Sequence, residues 1–133
     1  MGRGQYAAAQ DLFQKALDQY TDNFYYALAF LYCAARREVV EGRPGEFEAA
    51  YELVSGRSEE IEALMGYHID ALRAYVQVKG RRLSAARATV DKWITSADAR
   101  RFVPLFWRNF PNGAEIINNW NQLLGERAMA IAR

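Results

Sequence analysis

The residue types that most often carry catalysis are rare in this chain of 133 residues, which has one histidine, His68, and one cysteine, Cys33. His68 lies on the apolar side of a helical pattern, and the nearby Asp70 points to another face of that helix. Cys33 lies inside the apolar stretch "FYYALAFLYCAA", whereas a reactive thiolate needs a polar, electropositive site. Both side chains are therefore predicted to be structural.

Other chemical signatures lead to the same expectation. One cysteine and one histidine do not make a zinc site. The stretch "EGRPGE" at 41–46 lacks the Lys-Ser/Thr pair of a phosphate-binding loop. Acidic residues are spread over helix faces, and no pair of them stands out for acid–base chemistry. The sequence predicts a protein that is not an enzyme and that has no cofactor or metal site.

Composition favours a folded, helical protein. Hydrophobic residues make up 51% of the chain, and there are only 3 prolines. The longest apolar run has 12 residues and is ended by Arg36, short of the roughly 18 residues that a membrane span needs. The N-terminus lacks the residue order of a secretory signal, and a single cysteine fits a reducing compartment. We expect a cytoplasmic protein without a membrane association.

Charge is divided unevenly along the chain. Residues 1–79 hold 8 Lys/Arg and 12 Asp/Glu, a net charge of −4, whereas residues 80–133 hold 9 and 4, a net charge of +5. Such a molecule would suit head-to-tail stacking or an acidic partner, with ordinary surface variation as the alternative.

Basic residues in the C-terminal part lie close in sequence to Phe102, Phe106 and Trp107, a combination that can bind nucleic acid through backbone contacts and base stacking. The basic residues are Arg81, Arg82, Arg87, Arg100, Arg101 and Arg108. The net charge of the whole chain is only +1, whereas nucleic-acid-binding domains are usually strongly basic. Nucleic acid is therefore a less favoured partner than protein.

The elements that would position these residues are helices. Apolar residues at three- and four-residue spacing predict long helices over 22–41 and 58–79, capped by Asp22 or Asn23 and by Ser58. "FPNG" at 110–113 predicts a turn, and Asn112 with Glu115 resembles a capping box before a last helix. No stretch shows the alternation of a strand. We predict a single all-α domain over 1–133.

Three stretches of the chain share one pattern: "GQYAAAQDLFQKAL" from Gly4, "GEFEAAYELVSG" from Gly45 and "GRRLSAARATVDKW" from Gly80. Their alanines Ala9, Ala50 and Ala86 correspond, at offsets of 41 and 36 residues. A small residue lets two helices approach closely, and periods of this size are typical of helical repeat arrays.

The first of these stretches closely resembles the second helix of a tetratricopeptide repeat (TPR), through Gly4, Tyr6, Ala9, Phe13 and Ala16. The resemblance implies a right-handed helical-hairpin array, a TPR-like α-solenoid. In it, residues 4–97 form irregular repeat units and residues 98–133 form capping helices. It also implies a non-catalytic protein–protein interaction module, acting as an adaptor, scaffold or chaperone.

In that family the first helix of each unit lines a groove for peptides or helices, so helices 22–41 and 58–79 would line it here. The resemblance places the partner-binding residues on those helices, where tyrosine, arginine and aspartate lie at helical spacing: Tyr25, Tyr32, Arg36, Arg37, Tyr67 and Asp70. Arg36 and Arg37 would pair with acids of the partner. A helical regulatory domain that binds a small ligand near Tyr32, Tyr67 and His68 is the alternative.

The first half of the first repeat is missing from the sequence. We expect the chain to be an excerpt of a longer protein. A homodimer through the N-terminal helix would be another way to cover the apolar residues of that helix, such as Tyr6, Phe13 and Leu17.

Overall fold

The computed structural model of the chain describes residues 3–20, 23–55 and 59–132, and the side chains of 5–20, 23–55 and 66–131. Over the described residues the chain forms seven α-helices and no strand. The helices are α1 (Arg3–Gln19), α2 (Phe24–Glu41), α3 (Glu46–Ser55), α4 (Glu59–Lys79), α5 (Leu83–Asp91), α6 (Ala97–Trp107) and α7 (Gly113–Ala132). The all-α prediction is confirmed.

The chain divides into two compact units, residues 1–69 and residues 70–133, and α4 contributes residues to both. That the two units make up one domain stays a prediction. None of the helices in the described ranges combines the length and the apolar character needed to cross a bilayer.

Unit 1 is built around α2, which packs against both α1 and α3. All ten residues from Ala27 to Arg36 are buried, as expected of a helix that neighbours cover on all sides. Helix α1 contributes Tyr6 and Leu17 to this core, and α3 contributes its buried face. Each large apolar side chain that is withdrawn from water stabilises the unit by about 1.5–3 kcal/mol.

The ends of α2 are fixed by local chemistry. The Asn23 side chain accepts a hydrogen bond from the backbone N–H of Tyr26 at 3.0 Å, which confirms Asn23 as the N-cap. Helix α2 ends at Gly42, whose left-handed φ of 66° suits glycine, and whose N–H donates to the carbonyl of Glu38. The Glu38 carboxylate accepts from the N–H of Phe47 at 2.9 Å and so caps the first turn of α3.

Unit 2 has its core on α5, α6 and α7, together with the last turns of α4. Helix α7 packs against α5 and α6. The buried side chains of the three helices are Ala86, Thr89, Val90, Ala99, Val103, Trp107, Ile116, Trp120, Leu123 and Leu124. Polar contacts also join helices of this unit. Thr89 of α5 donates to Gln77 of α4 at 2.8 Å, and Arg127 of α7 donates to both carboxylate oxygens of Asp91 of α5 at 2.7 and 3.1 Å.

The turn between α6 and α7 differs in part from expectation. Pro104 lies inside α6, and Ser96 caps that helix by accepting from the N–H of Ala99 at 3.1 Å. Asn112 adopts a left-handed φ of 61°, and its carbonyl accepts from the N–H of Glu115. The Glu115 carboxylate, predicted to complete a capping box, pairs with Lys79 at 2.5 Å.

Gly113 begins α7 at a point where a side chain cannot fit, because a Cβ there would collide with the backbone carbonyl of Trp107. We expect Gly113→Ala to lower the free energy of unfolding by more than about 2 kcal/mol, measured by urea denaturation. Gly125→Ala on the same helix is the matched control: its Cβ meets nothing within 4 Å, and we expect stabilisation by about 0.5–1 kcal/mol. Equal effects of the two substitutions would contradict this account of the turn.

The predicted correspondence of Ala9, Ala50 and Ala86 can be tested on α3, where Ala50 is 3% exposed and the adjacent Ala49 is exposed. Ala50→Leu adds volume to the buried face next to Phe47 and Val54, so we expect a loss of about 1–3 kcal/mol in unfolding free energy. Ala49→Leu makes the same change on the exposed face and should have little effect. An unchanged melting temperature for Ala50→Leu would contradict the proposed correspondence of the alanines.

Candidate partner-binding site

The six residues predicted to bind a partner lie in different environments. Tyr25 is 48% exposed, whereas Tyr32 is 1% exposed and offers a partner no surface in this conformation. The other four residues make intramolecular contacts, which determine how each could contact a partner. They are Arg36 and Arg37 on α2, and Tyr67 and Asp70 on α4.

Arg36 and Tyr32 belong to the contact between α1 and α2. The Arg36 Nε donates to the Tyr6 hydroxyl at 3.4 Å, and its Cζ lies 5.6 Å from the centroid of the Tyr6 ring. The Tyr6 and Tyr32 rings meet edge to face, with their centroids 6.3 Å apart. Burial raises the pKa of the Tyr32 hydroxyl above its usual range, and the neighbouring Tyr6 adds to that rise. The contacts of these side chains hold α1 and α2 together.

Arg37 lies where three helices meet. Its guanidinium Nη1 donates to Gln10 of α1 at 3.0 Å and to Glu46 of α3 at 3.1 Å, while its Nε donates to Glu41 of α2 at 3.1 Å. Two carboxylates therefore already compensate its positive charge. An acid from a partner would have to compete with these well-placed groups.

Tyr67 and His68 lie next to each other on α4, with their ring centroids 4.7 Å apart in an edge-to-face contact. His68 is 5% exposed, and burial lowers its pKa to about 4, so the imidazole is neutral at physiological pH. Burial likewise raises the pKa of the Cys33 thiol to about 12. Neither group is prepared for acid–base or nucleophilic work near neutral pH.

Asp70 is a buried acid that organises unit 2. One carboxylate oxygen accepts from the indole N–H of Trp93 at 2.8 Å and lies 3.7 Å from the Lys92 ammonium. The other oxygen pairs with Arg73 one turn along α4. Buried charge is costly unless it is hydrogen-bonded and compensated, and Asp70 has both kinds of partner.

Four aromatic side chains, Tyr20, Phe24, Tyr25 and Tyr26, form an aromatic patch at the end of α1 and the start of α2. Tyr20, Phe24 and Tyr25 are 53%, 47% and 48% exposed. The Tyr20 and Tyr26 ring centroids lie 6.1 Å apart, and those of Tyr25 and Tyr26 lie 6.2 Å apart. The cap at Asn23 fixes the first turn of α2 and so holds Phe24 and Tyr25 outward.

Of the residues in the aromatic patch, only Tyr25 is predicted from the sequence as a partner-binding residue. The sequence also predicts that Tyr20 is partly uncovered together with Tyr6 and Leu17, and of these three Tyr20 is exposed whereas Tyr6 and Leu17 are buried.

Phe24 shares the three- and four-residue spacing of Ala27 and Leu28, but only the latter two are fully buried. The position of Phe24 in the sequence could have indicated its exposure, because residues in the first turn after an N-cap have no preceding turn to cover them.

Unit 2 contains a cleft of about 230 Å³, lined by Val78, Leu83, Arg87, Asn119, Gln122, Leu123 and Glu126. It involves none of the residues at which a small-ligand pocket was predicted, which are Tyr32, Tyr67 and His68. Across the described ranges, no group of three or more His, Cys, Asp or Glu side chains is arranged to hold a metal ion.

The arginines considered for nucleic-acid binding are all exposed. The accompanying aromatic side chains are not all available for stacking, because Trp107 is fully buried in the core of unit 2 and Phe106 is half-buried against it, with ring centroids 4.9 Å apart. Phe102 alone of the three is exposed.

Comparisons with protein-family models, with curated proteins and with solved structures find no match to this chain. The tetratricopeptide resemblance stays a prediction that rests on the residues quoted for it.

The pKa of His68 makes stability depend on pH in a defined window. As pH falls from the usual histidine pKa of 6.5 to about 4, His68 becomes protonated in the unfolded chain but stays neutral in the folded chain. The free energy of unfolding should fall by about 3 kcal/mol over this window, at roughly 1.4 kcal/mol per pH unit, and level off below it.

The comparison protein is His68→Leu, in which this proton uptake is absent while all other titrating groups are retained. Urea denaturation of both proteins between pH 7 and about pH 4 isolates the contribution of His68 as the difference between the two slopes. Parallel pH profiles would contradict the assignment of a neutral buried imidazole.

Proposed function

We propose that this protein is a non-catalytic protein–protein interaction module that binds a partner segment through the aromatic patch. The observation that carries the proposal is the exposure, by about half, of Tyr20, Phe24 and Tyr25 at one site. Aromatic side chains that a folded chain keeps in water are the residues that most often anchor interfaces. Adaptor, scaffold and chaperone roles all require such a surface.

The tetratricopeptide-like arrangement belongs to the same proposal. The packing of α2 against both α1 and α3, and the buried alanines Ala50 and Ala86, support this arrangement. In an array of this kind, the patch would lie at the turn between the first two units. Helices α6 and α7 would cap the array.

The physical character of the patch indicates the kind of segment it would bind. Phe24 offers apolar surface, and Tyr20 and Tyr25 add rings that carry a polar hydroxyl, which in Tyr20 accepts from Gln19 at 3.4 Å. Each ring has two rotatable side-chain bonds and stands on or next to a helix, so little conformational entropy is lost on binding. An apolar or amphipathic segment with hydrogen-bond acceptors at its edge fits this surface.

Site-specific photocrosslinking would identify the partner. A benzophenone amino acid in place of Tyr25 should capture, from lysate of the source organism, a protein that the same group in place of Leu12 does not. Leu12 is the control because it is 67% exposed on α1, about two turns of helix before Tyr20.

Binding of the purified partner segment would then be measured by calorimetry. We expect Phe24→Ala/Tyr25→Ala to weaken affinity roughly 30-fold, or about 2 kcal/mol, because these are the exposed anchors. Leu12→Ala should change it less than about twofold. Circular dichroism would show that all variants are folded. An unchanged affinity for the double variant, or equal losses for both, would contradict the proposal.

A further inference from the structure

Helix α6 exposes a stripe of basic and apolar residues. It buries Ala99, Val103 and Trp107, which recur every four residues along one face. The opposite face carries Arg101, Phe102 and Leu105, and Arg108 follows directly after the helix; these four residues are called here the basic stripe. The exposed Asp98 lies on the same side of α6, one turn before Arg101 and Phe102. Phe102 and Leu105 are 37% and 42% exposed, and the Arg101 guanidinium lies 5.4 Å from the Phe102 ring centroid.

Helix α3 exposes a stripe of the opposite charge. It buries Phe47, Ala50 and Val54, and its opposite face carries Glu48, Ala49, Glu52 and Leu53, called here the acidic stripe. Leu53 is 53% exposed. Glu46, which binds Arg37, lies outside this stripe.

The two stripes resemble each other in composition. Each has two like charges and two apolar side chains. On α3 the charges are one turn apart, roughly 6 Å, and on α6 they are two turns apart, roughly 10 Å. The long arginine side chains can close this difference, since their stems lie along apolar surface while the charged ends reach outward. Ala49 leaves room beside Leu53 for the Phe102 ring.

We propose that the chain associates with a second copy of itself, the acidic stripe of one copy docking on the basic stripe of the other. The second copy is the occupant that charge favours, because the same chain carries −4 in residues 1–79 and +5 in residues 80–133. The two stripes are different surfaces, so the contact is heterologous. In such a pair one copy keeps its basic stripe and the other keeps its acidic stripe, so further copies can add at both ends.

This association goes beyond the proposed function, because it uses α3 and α6 and leaves the aromatic patch open. A contact between single helix faces is small, so the association is weak and needs high protein concentration. Its charges are exposed, so it is weakened by salt within the ordinary laboratory range. The interaction would bring several copies of the aromatic patch together and raise the apparent affinity for a partner with repeated segments.

Charge reversal tests the proposal with two variants. Glu48→Arg/Glu52→Arg makes both stripes basic, and Arg101→Glu/Arg108→Glu makes both stripes acidic. Sedimentation equilibrium at low ionic strength should show concentration-dependent association of the original protein, weakened at least tenfold in each variant. An equimolar mixture of the two variants should associate again, because each offers the stripe that the other lacks.

Two controls separate this contact from other effects. Arg82→Glu/Arg87→Glu makes the same change of net charge at exposed positions outside the basic stripe and should leave association intact. Phe24→Ala/Tyr25→Ala should also leave it intact, so failure of the aromatic patch as a partner site is distinguishable from failure of this proposal.

Several results would overturn it. A protein that stays monomeric at millimolar concentration and low salt has no such contact. Association that survives both reversals, or that mixing does not restore, uses other surfaces. If the original protein is monomeric but binds an oligonucleotide, and Arg101→Glu/Arg108→Glu abolishes that binding, the basic stripe serves nucleic acid instead.

Discussion

The structure of unit 1 depends on the contacts of one guanidinium, that of Arg37. Its planar array of donors satisfies Gln10, Glu41 and Glu46 together, and these residues belong to α1, α2 and α3. A lysine has a single ammonium and could not match this fixed geometry at three helices. The apolar faces supply most of the stabilisation, and their complementary packing favours a single arrangement of the helices. The Arg37 contacts add a polar link among all three helices.

Asp70 has the corresponding role in unit 2, with opposite charge. It joins α4 to the segment after α5 through the Trp93 indole and the Lys92 ammonium. In both units a polar side chain that sequence reasoning assigned to a partner is used to build the fold. Charged side chains at helix junctions therefore position the helices, whereas the aromatic rings of the patch are exposed to solvent.

The features that could be predicted from the sequence are those set by neighbouring residues. The helical class, the Asn23 cap and the burial of Cys33 and His68 follow from local spacing and composition. The environments of Tyr32 and Arg36 depend on Tyr6, about thirty residues away, and no periodicity reveals that hydroxyl. The Glu115 carboxylate also pairs with Lys79, a contact that the local capping pattern does not reveal. Helical spacing shows which residues share one face of a helix. Whether that face is buried depends on elements that are distant in sequence.

The burial of Cys33 has a practical consequence for following the motions of this protein. It is the sole thiol of the chain, it is fully buried, and its raised pKa keeps it protonated. An alkylating reagent can reach it only when α2 separates from its neighbours. The labelling rate therefore reports the population of the open form when reclosing is fast, and the opening rate when labelling outpaces reclosing. Alkylation of Cys33, followed by mass spectrometry, therefore reports the local opening of the α1–α2–α3 assembly without any engineered probe.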